Sequence, residues 1–323
     1  CGSMGYAIAD AIYAKKKIAI TDTIVDYPNY PSDITEDYVD YILKVDSIGD
    51  KNGIVSGTTK VTKDPVGLKI AKDTLKVMKA SGLLKDGFSY QSGAGGISLA
   101  VTDFLRDYMI KENIKGSFAS GGITGYLTDM LEEGLFTSLY DVQCFDLKAI
   151  ESIKKNANHL RMSGSEYGNP EVSAVVDNLD VVILGATEID LDFNVNVITG
   201  ADGVLMGGSG GHQDTAAGAK MSIIVSKLFS SRLPVIKNRV DVIATPGTTI
   251  DVLVTERGIA VNPLRQDLIE KFKENGLNVM TIQELKAIAD NFMGEPKEIK
   301  KKDRIIGYSE YRDGSILDEI HEV

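Results

Sequence analysis

"FSYQSGAGGISLAVTDFLRDYMIKEN", residues 88–113, decides the fold. A short apolar run fit for a strand ends on a glycine loop, Ser92–Gly96. An amphipathic helical run follows without a break. The unit recurs. "GSFAS" (116–120) leads through "GGIT" (121–124) into "GYLTDMLEEG" (125–134). "SLYDVQCFD" (138–146) leads into "LKAIESIKKN" (147–156), and "LDVVILGATEID" (179–190) reads as one strand with a polar exit. Strands alternating with helices predict an α/β fold, an open, mostly parallel sheet with helices on both faces. In such sheets ligands collect beyond the carboxyl ends of the strands, where these glycine loops fall.

Upstream, "KDPVGLKIAKDTLKVMKASGLL" (63–84) reads as the clearest helix. Asp64 is its N-cap, Pro65 its first residue and Gly82 its stop, with Leu68, Ala71, Leu75 and Met78 at helical spacing. "KIAI" (17–20) fits a buried strand, residues 26–33 a linker with two prolines, and residues 37–49 a strand by alternation. The last third mixes strands "DVIAT" (241–245), "DVLVTE" (251–256) and "GIAVN" (258–262) with helices after Pro263 and Thr281. The terminal "RIIGYSEYRDGSILDEIHEV" (304–323) reads as a hairpin. The chain opens on Cys1 in "CGSMGYAIADA", as if inside an ordered element of a longer protein.

The 323 residues are 43% hydrophobic and carry a net charge of −11. That supports more than one lobe and argues against a nucleic-acid partner, which needs a basic field. The lysine clusters 15–17 and 297–302 read as solvated faces. Two cysteines make no disulfide framework, and three scattered histidines make no structural zinc site, so no metal is expected. No run approaches the ~18 apolar residues of a membrane span, and no signal peptide is expected. A cytoplasmic location is expected.

The second dense glycine stretch is "GADGVLMGGSGGHQDTAAGAK" (200–220). Neither glycine loop has the dinucleotide or P-loop spacing. Gly207–Gly211 does match G-x-S-x-G around Ser209, but the histidines that follow are His212, too close in sequence to be an easy base, and His321. The remaining chemistry is backbone donation. Glycines let several N–H groups converge on an oxyanion or a phosphate. "QSGAGG" and "GGSGG" are therefore expected to face one another across a cleft. Gly95, Gly96, Gly208, Ser209 and Gly210 are the catalytic candidates. Gln91 and Ser92 precede the first loop, and Gly121 and Gly122 form the next strand exit. Glu188 ends a strand as nucleophile, base or anchor. Asn194 and Asn196 alternate on one strand face, suited to a polyacid. His212 and Arg257 are further ligand candidates, the arginine through a bidentate carboxylate pair.

At these residues the chain resembles a known family. "YQSGAGGISLAVTDFL", "FASGGITGYLTDMLEEGL", "LDVVILGATEIDLDFNVNVITGADGVLMGGSGGHQDTA" and "VTERGIAVNPLR" are similar to the citrate lyase alpha chain, the citrate:acetyl-carrier-protein transferase subunit. The likeness runs through essentially the whole chain. More distantly, "GGSGGHQD" and "VTERGIA" resemble acetyl-CoA hydrolases and class I CoA-transferases. The resemblance implies a CoA-transferase-type fold, with residues 1–62 the end of a first half and a linker, and 63–323 the second half. It implies exchange of citrate for acetate on an acyl-carrier-protein thioester. The beta (lyase) and gamma (acyl carrier protein) subunits would be partners, and a phosphoribosyl-dephospho-CoA arm would arrive on the carrier, with no cofactor bound by this chain. A homo-oligomer is expected. The hydrolase relatives place a catalytic glutamate where this chain has Ser120-Gly121-Gly122. Direct attack by citrate through a mixed anhydride is therefore expected, with Glu188 as the fallback nucleophile. The alternatives are an acyl-CoA thioester hydrolase, an acetate CoA-transferase, and a non-enzymatic sensor of small acids. Citrate is favoured over citramalate only by the resemblance.

Overall fold

A computed structural model describes residues 2–54, 59–230, 233–293 and 299–323. Cys1 and Lys297 lie outside the described residues. The helices are α1 (Gly5–Tyr13), α2 (Pro65–Ser81), α3 (Gly96–Glu112), α4 (Gly125–Glu132), α5 (Leu147–Lys155), α6 (Gly164–Gly168), α7 (His212–Gly218), α8 (Gln266–Glu274) and α9 (Ile282–Met293). The strands begin with β1 (Ile18–Thr21), β2 (Tyr41–Lys44), β3 (Tyr90–Ser92), β4 (Gly116–Ile123), β5 (Phe136–Cys144), β6 (His159–Arg161) and β7 (Val181–Leu184). They continue with β8 (Glu188–Asp190), β9 (Val195–Asn196), β10 (Met221–Val225), β11 (Phe229–Ser230), β12 (Leu233–Pro234) and β13 (Ile236–Lys237). Last come β14 (Val252–Val254), β15 (Ile259–Val261), β16 (Val279–Met280), β17 (Ile305–Glu310) and β18 (Ile316–His321).

Among the described residues the main sheet has nine strands in the order β16-β15-β14-β10-β7-β3-β4-β5-β6. Every pair is parallel except β14–β15. Alternate residues of one strand feed opposite cores. Val181 and Ile183 pack with α2, α3 and α4, whereas Val182 and Leu184 pack with α9 and the segment 189–250. This is the open sheet with two covered faces that the repeated unit predicts.

The strand order also carries a reversal. From β3 the chain steps outward through β4, β5 and β6. It then returns to lay β7 on the other side of β3 and continues to β10 and β14. The switch point lies between β3 and β7. Connections on opposite faces leave a crevice at such a point, which is why ligands bind there.

Local chemistry explains the elements. Asp64 caps α2 by accepting from Val66 and Gly67, and Gly82 ends it at φ 73°. Thr281 and Glu284 cap the start of α9 reciprocally. The terminal hairpin forms as read, with Gly314 at φ 84° in its turn.

Five readings change. "GGIT" is no exit loop, since β4 runs on through Gly121 and Gly122 to Ile123 across a register shift. "LDVVILGATEID" divides into β7 and β8, and β8 belongs to a separate small sheet with β9 and β13. Residues 241–245 form no strand, only a bridge from Thr245 to Val195. The strand expected at 37–49 shortens to Tyr41–Lys44, paired in parallel with β1. The β1 side chains expected to be buried are exposed, Ile18 at 62% and Ile20 at 58%. Among the described residues no helix is long and apolar enough to cross a membrane.

Candidate active site

A cleft of about 370 Å³ opens at the carboxyl edge of β3, β7 and β10. Three adjacent strand exits line it. They are Gly95–Ser98 entering α3, Gly185 and Ala186 after β7, and Ser226 and Lys227 after β10. Phe229 and Ser230 complete the wall. The cleft thus straddles the switch point.

The first glycine loop is held by backbone contacts. The Gly93 N–H donates to the Ile183 carbonyl at 2.9 Å, and the Gly96 carbonyl accepts from the Thr62 N–H at 3.0 Å. A Cβ on Gly96 would stand 3.0 Å from the Lys60 carbonyl. No side chain caps α3. Its first-turn N–H groups therefore sit at the cleft with the positive end of a 17-residue helix behind them. Ser92 does not project into this space; its Oγ contacts the carbonyls of Gly93 and Ser98. Gln91 is buried. Its amide donates to the Tyr167 hydroxyl at 2.7 Å, and its carbonyl accepts from Ser120 Oγ at 3.0 Å. Gly121, at φ 99°, leaves room for that side chain, since a Cβ there would come within 2.7 Å of it. Gly122 likewise leaves room for the Phe145 ring. Both glycines serve packing and are not among the residues lining the cleft.

The second loop lies beside the cleft, a correction to the expectation that the two loops face one another across it. Gly208, Ser209 and Gly210 do not line it. Cβ atoms placed on Gly207, Gly208 or Gly210 would meet nothing within 4 Å, so the loop borders open space. His212, which follows it, is spent on anchoring. Its Nε2 donates to the Gly185 carbonyl at 2.9 Å, and its Nδ1 accepts from Thr245 Oγ1 at 2.7 Å. Among the described residues Ser209 Oγ hydrogen-bonds only to the Gly210 carbonyl, at 3.5 Å. With both ring nitrogens engaged, His212 is no base for Ser209.

Burial holds the His212 pKa down to about 4, well below the ordinary value of ~6.5. The unfolded chain therefore takes up the proton first as pH falls. Stability from this ring is complete above pH ~6.5 and is lost between there and pH ~4. Discounted for partial exposure, the loss is about 2 kcal/mol. Urea unfolding at pH 7 and pH 4.5 should show that His212→Gln removes this part of the acid sensitivity.

The acidic and amide candidates turn inward. Glu188 is 3% exposed and begins β8, four residues beyond the end of β7. It pairs with Lys237 at 3.4 Å and accepts from Asn196 Nδ2 at 3.2 Å and the Asp241 N–H at 3.1 Å. Asn196 is fully buried, and its carbonyl accepts from Ile198 and Thr199. Asn194 accepts from the Gly247 N–H at 2.9 Å and donates to Asp190. The two amides thus brace the chain, which corrects their reading as a shared ligand face. Arg257 is exposed and stacks over Phe292 at 5.4 Å, and Phe292 meets the cleft residue Phe229 edge-on at 6.2 Å. Cys144 is no nucleophile either, because burial and the Asp141 carboxylate push its thiol up to about 12.

The family profile described as "Citrate lyase, alpha subunit (CitF)" matches residues 1–323. The chain belongs to this family. It is 48% identical to the citrate lyase alpha chain of Klebsiella pneumoniae over 324 residues, and 47% identical to that of Escherichia coli K12. It is covered in full by each and spans 64% of their length. A crystal structure described as the citrate lyase alpha subunit of Streptococcus mutans in complex with citrate superposes with a TM-score of 0.95 at 48% identity. It covers all of this chain and 64% of that one. A Pseudomonas malonate decarboxylase structure matches at a TM-score of 0.61 and 16% identity over 84% of this chain and 57% of that one, a likeness of fold alone.

Within this citrate lyase alpha family chain, two residues at the site carry no motif. Tyr167 joins the loops. Its hydroxyl accepts from Gln91 just before the first, and its ring lies where a Cβ on Gly211 would fall, at 2.4 Å. The Tyr6 ring abuts it edge-on at 6.5 Å, and burial raises its phenol pKa. Lys227 lines the cleft and pairs with Asp64 at 2.8 Å. The readable signal for it was its place directly after the buried run "MSIIVS" (221–226).

Proposed function

We propose that this chain carries the acid-exchange site of a citrate lyase alpha subunit. The acetyl thioester of an acyl carrier would be converted to the citryl thioester, with acetate released. The carrying observation is the switch-point cleft itself. It is open, it is lined by the uncapped start of α3 and two further strand exits, and among the described residues no carboxylate lines it. Bare N–H groups suit a carbonyl oxygen that becomes negative, and they act without reorganising.

A carboxylate oxygen of citrate attacks the acetyl carbon, the C–S bond breaks, and the thiolate leaves with its electron pair. The thiolate then attacks the citryl carbon of the mixed anhydride, and acetate departs with the bridging oxygen. The N–H groups of Gly95 and Gly96 receive the oxyanion of each tetrahedral stage. Gly208, Ser209 and Gly210 border the approach of the thioester arm. The protein's part is positioning and electrostatic stabilisation. Glu188 supports this reading by its burial, since a carboxylate closed in by Lys237 and Asn196 has no path to a thioester.

The reading includes the carrier and lyase subunits as partners, the carrier bringing the CoA-like arm. It also includes a division at residue 62. The β1–β2 ribbon is parallel, two-stranded and exposed, with Ile42 at 66% and Tyr41 at 59%. All-parallel pairs are ordinarily buried inside larger sheets. This exposure supports reading residues 1–62 as the end of a first half and a linker, and residues 63–323 as a second half. The test is citrate-dependent release of acetate from an acetyl-pantetheine donor by the full chain. Release that needs only water, or none with any di- or tricarboxylic acid, refutes the proposal.

A further inference from the structure

Lys227 is the one charged side chain among the described residues lining the cleft. It leaves the sheet directly after β10, beside the switch point, with the serines Ser226 and Ser230 also in the wall. Its ammonium is occupied by Asp64, 2.8 Å away, and that hydrogen bond is the first cause holding the Asp64 carboxyl below its ordinary range. Both side chains stay open to solvent, at 45% and 37%. A pair so exposed contributes little and exchanges readily. Asp64 also has a second task, as the N-cap of α2. Releasing the lysine would leave that cap in place. Among the described residues the cleft wall carries one cation, the hydroxyls of Ser98, Ser226 and Ser230, and no acid, which suits an anion with carboxylates to spare.

We infer that Lys227 anchors a carboxylate of the acid substrate, and that Asp64 is the internal carboxylate which the substrate displaces. This rests on the acid-exchange reading above. Two substitutions with opposite effects separate it from a purely structural role. Lys227→Gln removes the anchor. Asp64→Asn removes the competitor while keeping the cap, because asparagine caps as well as aspartate.

Citrate binding to the full chain is measured by calorimetry, with thermal unfolding in parallel. Lys227→Gln should raise the Kd at least tenfold, Lys227→Arg should stay within about threefold of the wild type, and Asp64→Asn should lower the Kd about threefold. A Lys227→Gln Kd equal to the wild-type value overturns the inference. So does an Asp64→Asn Kd that rises as far as that of Lys227→Gln, which would mark the pair as mere wall support. Absence of citrate binding by the wild type would overturn the acid-exchange reading itself, a result distinct from the other two.

Discussion

An alanine at position 211 is expected to slow acid exchange about 100-fold while leaving the fold intact. The new Cβ would stand 2.4 Å from Tyr167 Cε1 and 2.7 Å from its hydroxyl oxygen. Tyr167 has no room to yield, because it is 4% exposed, abuts Tyr6 and accepts from Gln91. The backbone of residues 207–211 must move instead, and that backbone borders open space. A misplacement of about 1 Å near reacting groups is enough for a 100-fold loss. The readout is the rate of acetate release at saturating citrate, with circular dichroism as the control. A rate within threefold of the wild type would show that the second loop takes no part in positioning.

Glu188→Ala should lower the unfolding free energy by about 3 kcal/mol, because removing one partner of a buried ion pair strands the other. Lys237 is only 12% exposed, and Asn196 Nδ2 and the Asp241 N–H would lose an acceptor. Asp241 is itself bound by Thr199 and Lys301, so the loss spreads to the segments that carry these residues. Glu188→Gln keeps the acceptor and should cost about half as much. Urea titrations of the two variants check this. A loss below about 1 kcal/mol for the alanine variant would mean that the pair is solvated and the carboxylate free for other work.

Much of this was legible in the sequence where local chemistry decides. The recurring strand, glycine and helix unit announced the parallel sheet. Asp64, Pro65 and Gly82 marked α2 almost to the residue. Gly93, Gly95 and Gly96 were readable as a strand-exit loop, and Gly95 and Gly96 line the cleft. What stayed hidden depends on contacts distant in sequence. Nothing local fixes that β8 leaves the main sheet, because "VVIL" and "EID" are separated only by Gly185, Ala186 and Thr187. The polar candidates stayed open to two readings for the same reason. Asn194, Asn196, Gln91 and His212 are hydrogen-bonding residues beside glycine loops, and such residues serve a ligand or the loop's own backbone equally well. For three of them the partners Gly247, Tyr167, Gly185 and Thr245 come from elsewhere in the chain, whereas Asn196 is held by its neighbours Ile198 and Thr199. Tyr167 gave no motif because its role arises from packing, and Lys227 gave none because its partner Asp64 is distant in sequence.

The central claim is that one acid displaces the other directly, with no enzyme carboxylate between them. Citrate labelled with ¹⁸O in its carboxylates, supplied to the full chain and acetyl carrier for a single turnover, tests it most directly. Direct exchange moves the bridging oxygen from citrate to acetate, so mass spectrometry should find one ¹⁸O in the acetate of the first turnover. Unlabelled acetate from that turnover, with ¹⁸O recovered in a glutamate such as Glu188, would contradict it.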